Sequence, residues 1–437
     1  MSISLLRIYE DRAAKKRARG SDKGFISLSK TSVGMWRLGF FFHEMGFGLL
    51  SIFLPLYVVS NVIHGSLVDI GIMASLALLA AIPFSYFWGY ICDKTRRYKR
   101  YILLSFLMST VMLYLFTLTT NIALLIILYV ILSIFHVAHE APKNVLIAEL
   151  YSREDWERKF AFYEGLTETG WLIGLVLGCA TSAFGFSAAN TLWVCAVLNL
   201  IALVLSLLLV SDPVLIFERG LVSIERSVDF TSRGVFLASQ ILDGFPSKEK
   251  LRRENVTAFC AGLILFSLAT SILFSPMPIF VANIVAQAGM LESLVFVVFI
   301  LNSAGAVFGY LFVGSKSNPQ TEKANVSRTV IFRSLLTFTL IGVIGIPLLN
   351  VPLATVILML LGFVYAAFLI YTLSLSMELI PSGKAGLFNV LIGVGGAFGS
   401  FIGPFIAQTF GPFGFLCVFV TAGTLFLVTY VFFKMFV

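Results

Sequence analysis

Long apolar runs, each closed by a short polar or turn-forming segment, repeat along the whole chain, and their length decides the fold class. A helix needs about 20 apolar residues to cross the hydrocarbon of a bilayer. Twelve runs meet that length, at about 33–60, 66–91, 101–119, 122–150, 160–184 and 188–210, then at about 256–283, 291–313, 330–349, 352–380, 385–410 and 412–436. Between 211 and 255 the pattern lapses into a stretch with seven Lys/Arg and seven Asp/Glu, which reads as a solvated linker. The expected organisation is a basic leading segment (1–32), a six-helix bundle (33–210), a linker (211–255) and a second six-helix bundle (256–437). The fold class is an all-α polytopic membrane protein with twelve transmembrane helices.

Composition supports this reading. Of 437 residues, 58% are hydrophobic and 12% charged, against about 25% charged in a soluble domain. That excludes a disordered chain and argues against a soluble one. The net charge of +8 does not call for nucleic acid, because the basic residues fall almost wholly on one side of the expected spans. Of 31 Lys/Arg, 29 lie in the leading segment, the linker, the loops after even-numbered helices or the chain end, and only Arg37 and Lys143 fall inside expected helices. The positive-inside rule then places both termini in the cytoplasm of a cell membrane. The leading segment, with eight basic residues against three acids, reads as a flexible tail or as a patch for anionic lipid. Arg37 and Glu44 in the first run, with no small-residue cleavage site, argue against a signal peptide. Five cysteines without a CxxC pair read as small hydrophobes, and no His sits at metal-ligand spacing with them, so neither metal nor cofactor is expected.

The two bundles repeat. Leu54-Pro55-Leu56-Tyr57-Val58 in the first run matches Met277-Pro278-Ile279-Phe280-Val281 in the seventh, 223 residues on. Gly89-Tyr90 matches Gly309-Tyr310, Glu149-Leu150 matches Glu378-Leu379, and Gly170, Gly174 and Gly178 match Gly395, Gly399 and Gly403, at offsets of 220, 229 and 225. Six is even, so both copies enter the membrane from one side, as parallel repeats about an axis along its normal. The loop Gly89-Tyr90-Ile91-Cys92-Asp93-Lys94-Thr95-Arg96-Arg97 joins a Gly, an acid four residues on and a basic cluster. With twelve spans, a central linker and Ala148-Glu149-Leu150 followed by Arg158 and Gly165, the chain resembles the major facilitator superfamily.

That resemblance implies a secondary transporter working by alternating access, with Gly89, Asp93, Lys94 and Arg97 in a latch that meets the second bundle near Lys384. Departures are visible. Arg96 replaces the family's turn glycine, which implies a somewhat different turn, and Val313 replaces the acid in the second copy. Leu175 follows Gly174 where the antiporter pattern has proline, and the buried cation of helix 4 is Lys143 where many proton-coupled members have Arg.

Candidate chemistry sits in the first bundle. Charged groups in hydrocarbon cost about 3 kcal/mol each or more, so those that remain face a cavity or a partner. Glu44, Glu140 and Glu168 fall about 12–15 Å into the membrane on three helices, at 1.5 Å per residue. His136, His139, Glu140 and Lys143 follow i, i+3, i+4, i+7 spacing and share a face. With Glu164 and Arg37 the cluster holds four acids against two bases, an excess that protons or a cationic substrate would neutralise. The alternative is that Glu140 with Lys143, and Arg37 with Glu44, pair only to hold helices together. The second bundle offers few polar groups, among them Asn302, Tyr365, Tyr371, Thr372 and Asn389.

The expected function is proton-coupled movement of a small organic solute by a monomer in the bilayer. A receptor or scaffold on the same fold is the alternative; no nucleophile or metal constellation supports an enzyme. The topology is tested with single cysteines in a cysteine-free background and an impermeant thiol reagent on intact cells. Positions in 61–66, 185–190 and 283–291 should label and positions in 94–100 should not; labelling of 94–100 contradicts the assignment.

Overall fold

The computed structural model describes residues 35–150, 156–212, 256–314, 322–345, 349–379 and 386–436. The leading segment and all but the edge of the linker lie outside them. Every regular element among the described residues is a helix. The first bundle holds α1 (Leu38–Val58), α2 (Leu67–Thr95), α3 (Tyr98–Phe116), α4 (Ile122–His136 continued by Glu140–Leu150), α5 (Trp156–Ala183) and α6 (Ala188–Leu209). The second holds α7 (Val256–Phe274 continued by Met277–Gln287), α8 (Ser293–Gly314), α9 (Glu322–Ile344), α10 (Asn350–Leu379), α11 (Gly386–Thr409) and α12 (Gly414–Phe436). Eleven spans among the described residues are long and apolar enough to cross a membrane. The remaining helix, α5, carries its charges in its first half.

Two breaks depart from the expected uninterrupted helices. In α4 a 3₁₀ turn occupies Val137–His139. Pro142 accounts for it, since proline gives no hydrogen to the carbonyl four residues back, Ala138, and its ring crowds that oxygen. In α7 the break falls at Ser275-Pro276, and the helix resumes to Gln287, past the expected end. The helix starts follow familiar chemistry. Ser66 and Asp69 form a reciprocal capping box on α2, with Asp69 Oδ2 accepting from the Ser66 amide at 2.8 Å.

The glycine ladders pack equivalent helices in each repeat. A Cβ at Gly170 or Gly174 would fall within 3.0 Å of the backbone oxygens of Phe41 and Met45, pressing α5 onto α1. A Cβ at Gly395, Gly399 or Gly403 would do the same against Ile264, Leu268 and Ile272, pressing α11 onto α7. The α1–α5 and α7–α11 contacts are therefore the same contact made twice, as the sequence offsets require. Gly178 lies against the Phe296 ring of α8 instead, across the boundary between bundles. There the halves meet along α5–α8 and α2–α11, where the Val68 amide donates to Gln408 Oε1 at 2.9 Å and Gly71 abuts Ser400 and Phe401. These meeting points lie toward the end that carries the loops 59–66 and 184–187.

Large apolar side chains cover the periphery, among them Leu208 at 72% exposure and Phe308 at 70%. Such a surface suits hydrocarbon and would not suit water. At the turn after α2, Arg96 caps the helix at φ 52°, ψ 30°, the left-handed conformation that glycine supplies without strain. Arg96→Gly should leave thermal stability unchanged or raise it, whereas the β-branched Arg96→Val should cost about 1–2 kcal/mol. Melting of the detergent-purified variants reads the difference.

Candidate functional site

The break in α4 places the site. Where the helix passes from its 3₁₀ turn into the second segment, Glu140 projects into a cavity of about 180 Å³ lined by Glu44, Glu140, Lys143, Tyr163, Thr167, Glu168 and Trp171. These residues come from α1, α4 and α5, so the three carboxylates expected at one level do share one cavity. Counted from the helix ends actually formed, Glu44, Glu140 and Glu168 stand roughly 9, 15 and 18 Å along α1, α4 and α5. The common depth is looser than the sequence reading, and the common cavity holds nonetheless.

Glu140 is the hub. Its Oε2 receives Lys143 Nζ at 2.7 Å, and its Oε1 lies 3.5 Å from His139 Nε2. Lys143 also stands 5.1 Å from the centre of the Tyr163 ring, a cation–π contact that gives the ammonium a second support in a place poor in water. The Lys143 side chain is 10% exposed and that of Glu140 42%. The pair therefore sits at the cavity wall with its carboxylate wet, a position from which a proton or ligand reaches Glu140 directly.

Behind that wall lies a buried histidine group. His139 Nδ1 is 3.1 Å from Ser105 Oγ, and His43 lies 3.0 Å from His136 Nδ1 through Nε2 and 2.6 Å from Asn199 Oδ1 through Nδ1. Spacing along α4 brings His136 and His139 together, but His43 is 93 residues away from His136 and Asn199 is on α6. No spacing on α4 reaches His43, and the sequence pattern gives it no partner. A lone Asn199 in an apolar run was the available signal for a polar partner inside the bundle.

Arg37 lies at the start of α1, 3% exposed, with its guanidinium 5.4 Å from the Trp36 ring and 5.0 Å from the Phe162 ring. The side chains of Glu164, Asp93 and Asn389, and the whole of Lys384, lie outside the described residues, so the latch is described only in part. Gly89 faces Ala141, with 3.9 Å to its Cβ for an added methyl, and Lys94 stands 5.9 Å over the Tyr90 ring. Arg97 precedes α3 as its N-cap residue.

The second bundle requires a correction. The sequence reading finds almost no buried charge there and assigns Arg333 to the basic side of the boundary. The structure starts α9 at Glu322, so Arg333 falls in its fourth turn, 0% exposed. Its Nη1 donates to the Leu361 carbonyl at 2.9 Å, and the rings of Phe266, Phe274, Tyr365 and Phe426 surround the guanidinium at 5.2–5.5 Å. Nε and Nη2 have no hydrogen-bond partner among the described residues. Both Arg333 and Glu168 lie within electrostatic reach of Tyr365. The cationic count of the membrane interior thus rises by one. Asn302 is used for packing, donating to the Leu358 carbonyl at 2.6 Å.

Comparison with known proteins accords with this architecture. Solved structures of the same fold include a mutant form of the nucleoside transporter NupG, at TM-score 0.73 and 15% identity over 93% of this chain and 100% of that one. The peptide transporter POT in complex with sulfate superposes at TM-score 0.67 and 13% identity, covering 94% and 95%. A bacterial homologue of the human lysosomal transporter Spinster, inward-facing and unoccupied, superposes at 0.63 and 12%, covering 93% and 98%. No curated protein sequence matches the chain. Residues 38–404 match the profile of the Major Facilitator Superfamily, which spans both bundles and the linker, and the chain is therefore a multi-pass membrane transporter belonging to that family.

Proposed function

We propose that the chain moves a small organic solute across the cell membrane by alternating access, with protons supplying the driving force. The observation that carries this reading is the cavity of α1, α4 and α5, in which Glu44, Glu140 and Glu168 converge and Glu140 is paired with Lys143 at 2.7 Å. A proton arriving on Glu140 cancels the charge that holds Lys143. The ammonium then turns to another carboxylate or to an anionic group of the solute, a local charge change of the kind that biases a two-state rearrangement.

The direction of opening supports the same scheme. The halves touch at the end bearing the loops 59–66 and 184–187, which the basic-residue distribution assigns to the outside. With both termini in the cytoplasm, the cavity wall built by Glu140, Lys143 and Tyr163 lies toward the basic side. The described contacts then correspond to a state closed outside. Substrates named for the structural relatives, a nucleoside and a peptide, fall within the class of small organic solutes.

A thermal-shift screen of the purified protein against metabolites, in acidic and neutral buffer, identifies the solute. In proteoliposomes, Glu44→Gln, Glu140→Gln and Glu168→Gln should each cut proton-driven uptake by about tenfold or more, while exchange of solute down its own gradient survives. Proton-driven transport at the wild-type rate in all three variants would make the cluster structural.

A further inference from the structure

We propose that His43, Glu44, His136 and His139 form a binding site for a divalent transition-metal cation of the zinc class, entered from the cavity beside Glu44. One ligand atom from each of the four lies within 4.8 Å of the others. His43 and His139 are buried, and Glu44 and His136 are half-buried. This arrangement adjoins the Glu140–Lys143 pair through His139 and shares Glu44 with the cavity, but a metal site there goes beyond the transport reading.

The hydrogen bonds around the triad prepare it for a metal. Asn199 Nδ2 donates to the Cys195 carbonyl at 2.9 Å, which turns its Oδ1 toward His43. An amide oxygen only accepts, so His43 Nδ1 carries the proton in the 2.6 Å bond to it, and His43 Nε2 presents a lone pair. Ser105 Oγ also reaches the His136 carbonyl at 3.2 Å, so when it gives its hydrogen there it accepts from His139 Nδ1 at 3.1 Å, and His139 Nε2, which otherwise turns its N–H toward Glu140, is freed to bind a metal. Metal-bound imidazoles are held in this way, with the far ring N–H fixed by an oxygen acceptor.

The spacing is near what one metal needs, the four ligand atoms within 4.8 Å of one another closing inward on binding. The three ring centroids are 5.1, 4.9 and 5.0 Å apart, and His43 Nε2 lies 3.0 Å from His136 Nδ1. Imidazoles bound to one tetrahedral zinc at about 2.0–2.1 Å place their ligand nitrogens roughly 3.3 Å apart and their centroids about 5 Å apart. Without metal, His136 Nδ1–H donates to His43 Nε2; with metal, His136 presents Nδ1 and carries its proton on Nε2. Three imidazoles and one carboxylate favour zinc, cobalt and their neighbours over magnesium or calcium, which require oxygen ligands. Glu140 Oε1, 3.5 Å from His139 Nε2, adds negative charge at the edge of the site.

The test uses the full chain purified in detergent, stripped with chelator and titrated with Co²⁺, then with Zn²⁺ as competitor, without any transport readout. The wild type should show the intense visible absorption of tetrahedral cobalt at one equivalent, displaced by Zn²⁺ and untouched by excess Mg²⁺. His136→Ala and His139→Ala should lose it, and Asn199→Ala, which removes only an outer partner, should weaken binding about ten- to a hundredfold. Folding of each variant is checked by its thermal melt. Where the histidine variants fail to fold, Asn199→Ala decides, and undiminished affinity there overturns the site. Absence of the cobalt band in the wild type, or its persistence in both histidine variants, also overturns it and leaves the triad as a hydrogen-bonded relay.

Discussion

The cost of placing charge in hydrocarbon organises this molecule. Each ionisable side chain within a span is disfavoured by about 3 kcal/mol or more unless it reaches water, a partner or a cavity. The charges of the first bundle answer this by converging. Glu44, Glu140, Glu168 and Lys143 share one wet cavity, and the Glu140–Lys143 pair sits on its wall at 2.7 Å. Arg333 in the second bundle answers differently, enclosed by four aromatic rings with one carbonyl acceptor. One bundle exposes its charges to a cavity, and the other keeps its cation behind rings that supply π-electron density in place of a carboxylate.

This asymmetry is laid over a symmetric scaffold. The same glycine-mediated contact joins α1 to α5 and α7 to α11, and in both places it brings backbones closer than any side chain would permit. The helices that carry the carboxylates, α1 and α5, are therefore among the most tightly packed in the first bundle. Pro142 loosens α4 beside them, and the resulting 3₁₀ turn sets where His139 and Glu140 point. A rigid pair of helices facing a locally unwound one holds the charges in place and leaves one of them movable.

Much of this was legible in the sequence. Apolar run length sets the helices, and offsets of about 220 residues reveal the repeat, because a repeated packing contact requires repeated glycines. The i, i+3, i+4, i+7 spacing in α4 brings Glu140 to Lys143 and His139. What escaped depends on the third dimension or on an exact helix start. His43 meets His136 only when α1 packs against α4, and no spacing rule spans 93 residues. Arg333 was misplaced because the charged residues from Glu322 to Arg328 look like a loop, whereas α9 starts within them. Arg96 takes a left-handed turn that its side chain does not favour, which residue identity alone did not foretell.

The central claim is that the cavity carboxylates of the first bundle take up and release the proton. The infrared difference spectrum of the lipid-reconstituted protein between acidic and alkaline buffer tests it without a substrate. The account predicts a protonated-carboxyl band that diminishes in Glu44→Gln, Glu140→Gln or Glu168→Gln. A band unchanged in all three variants, or no such band in the wild type, would contradict it.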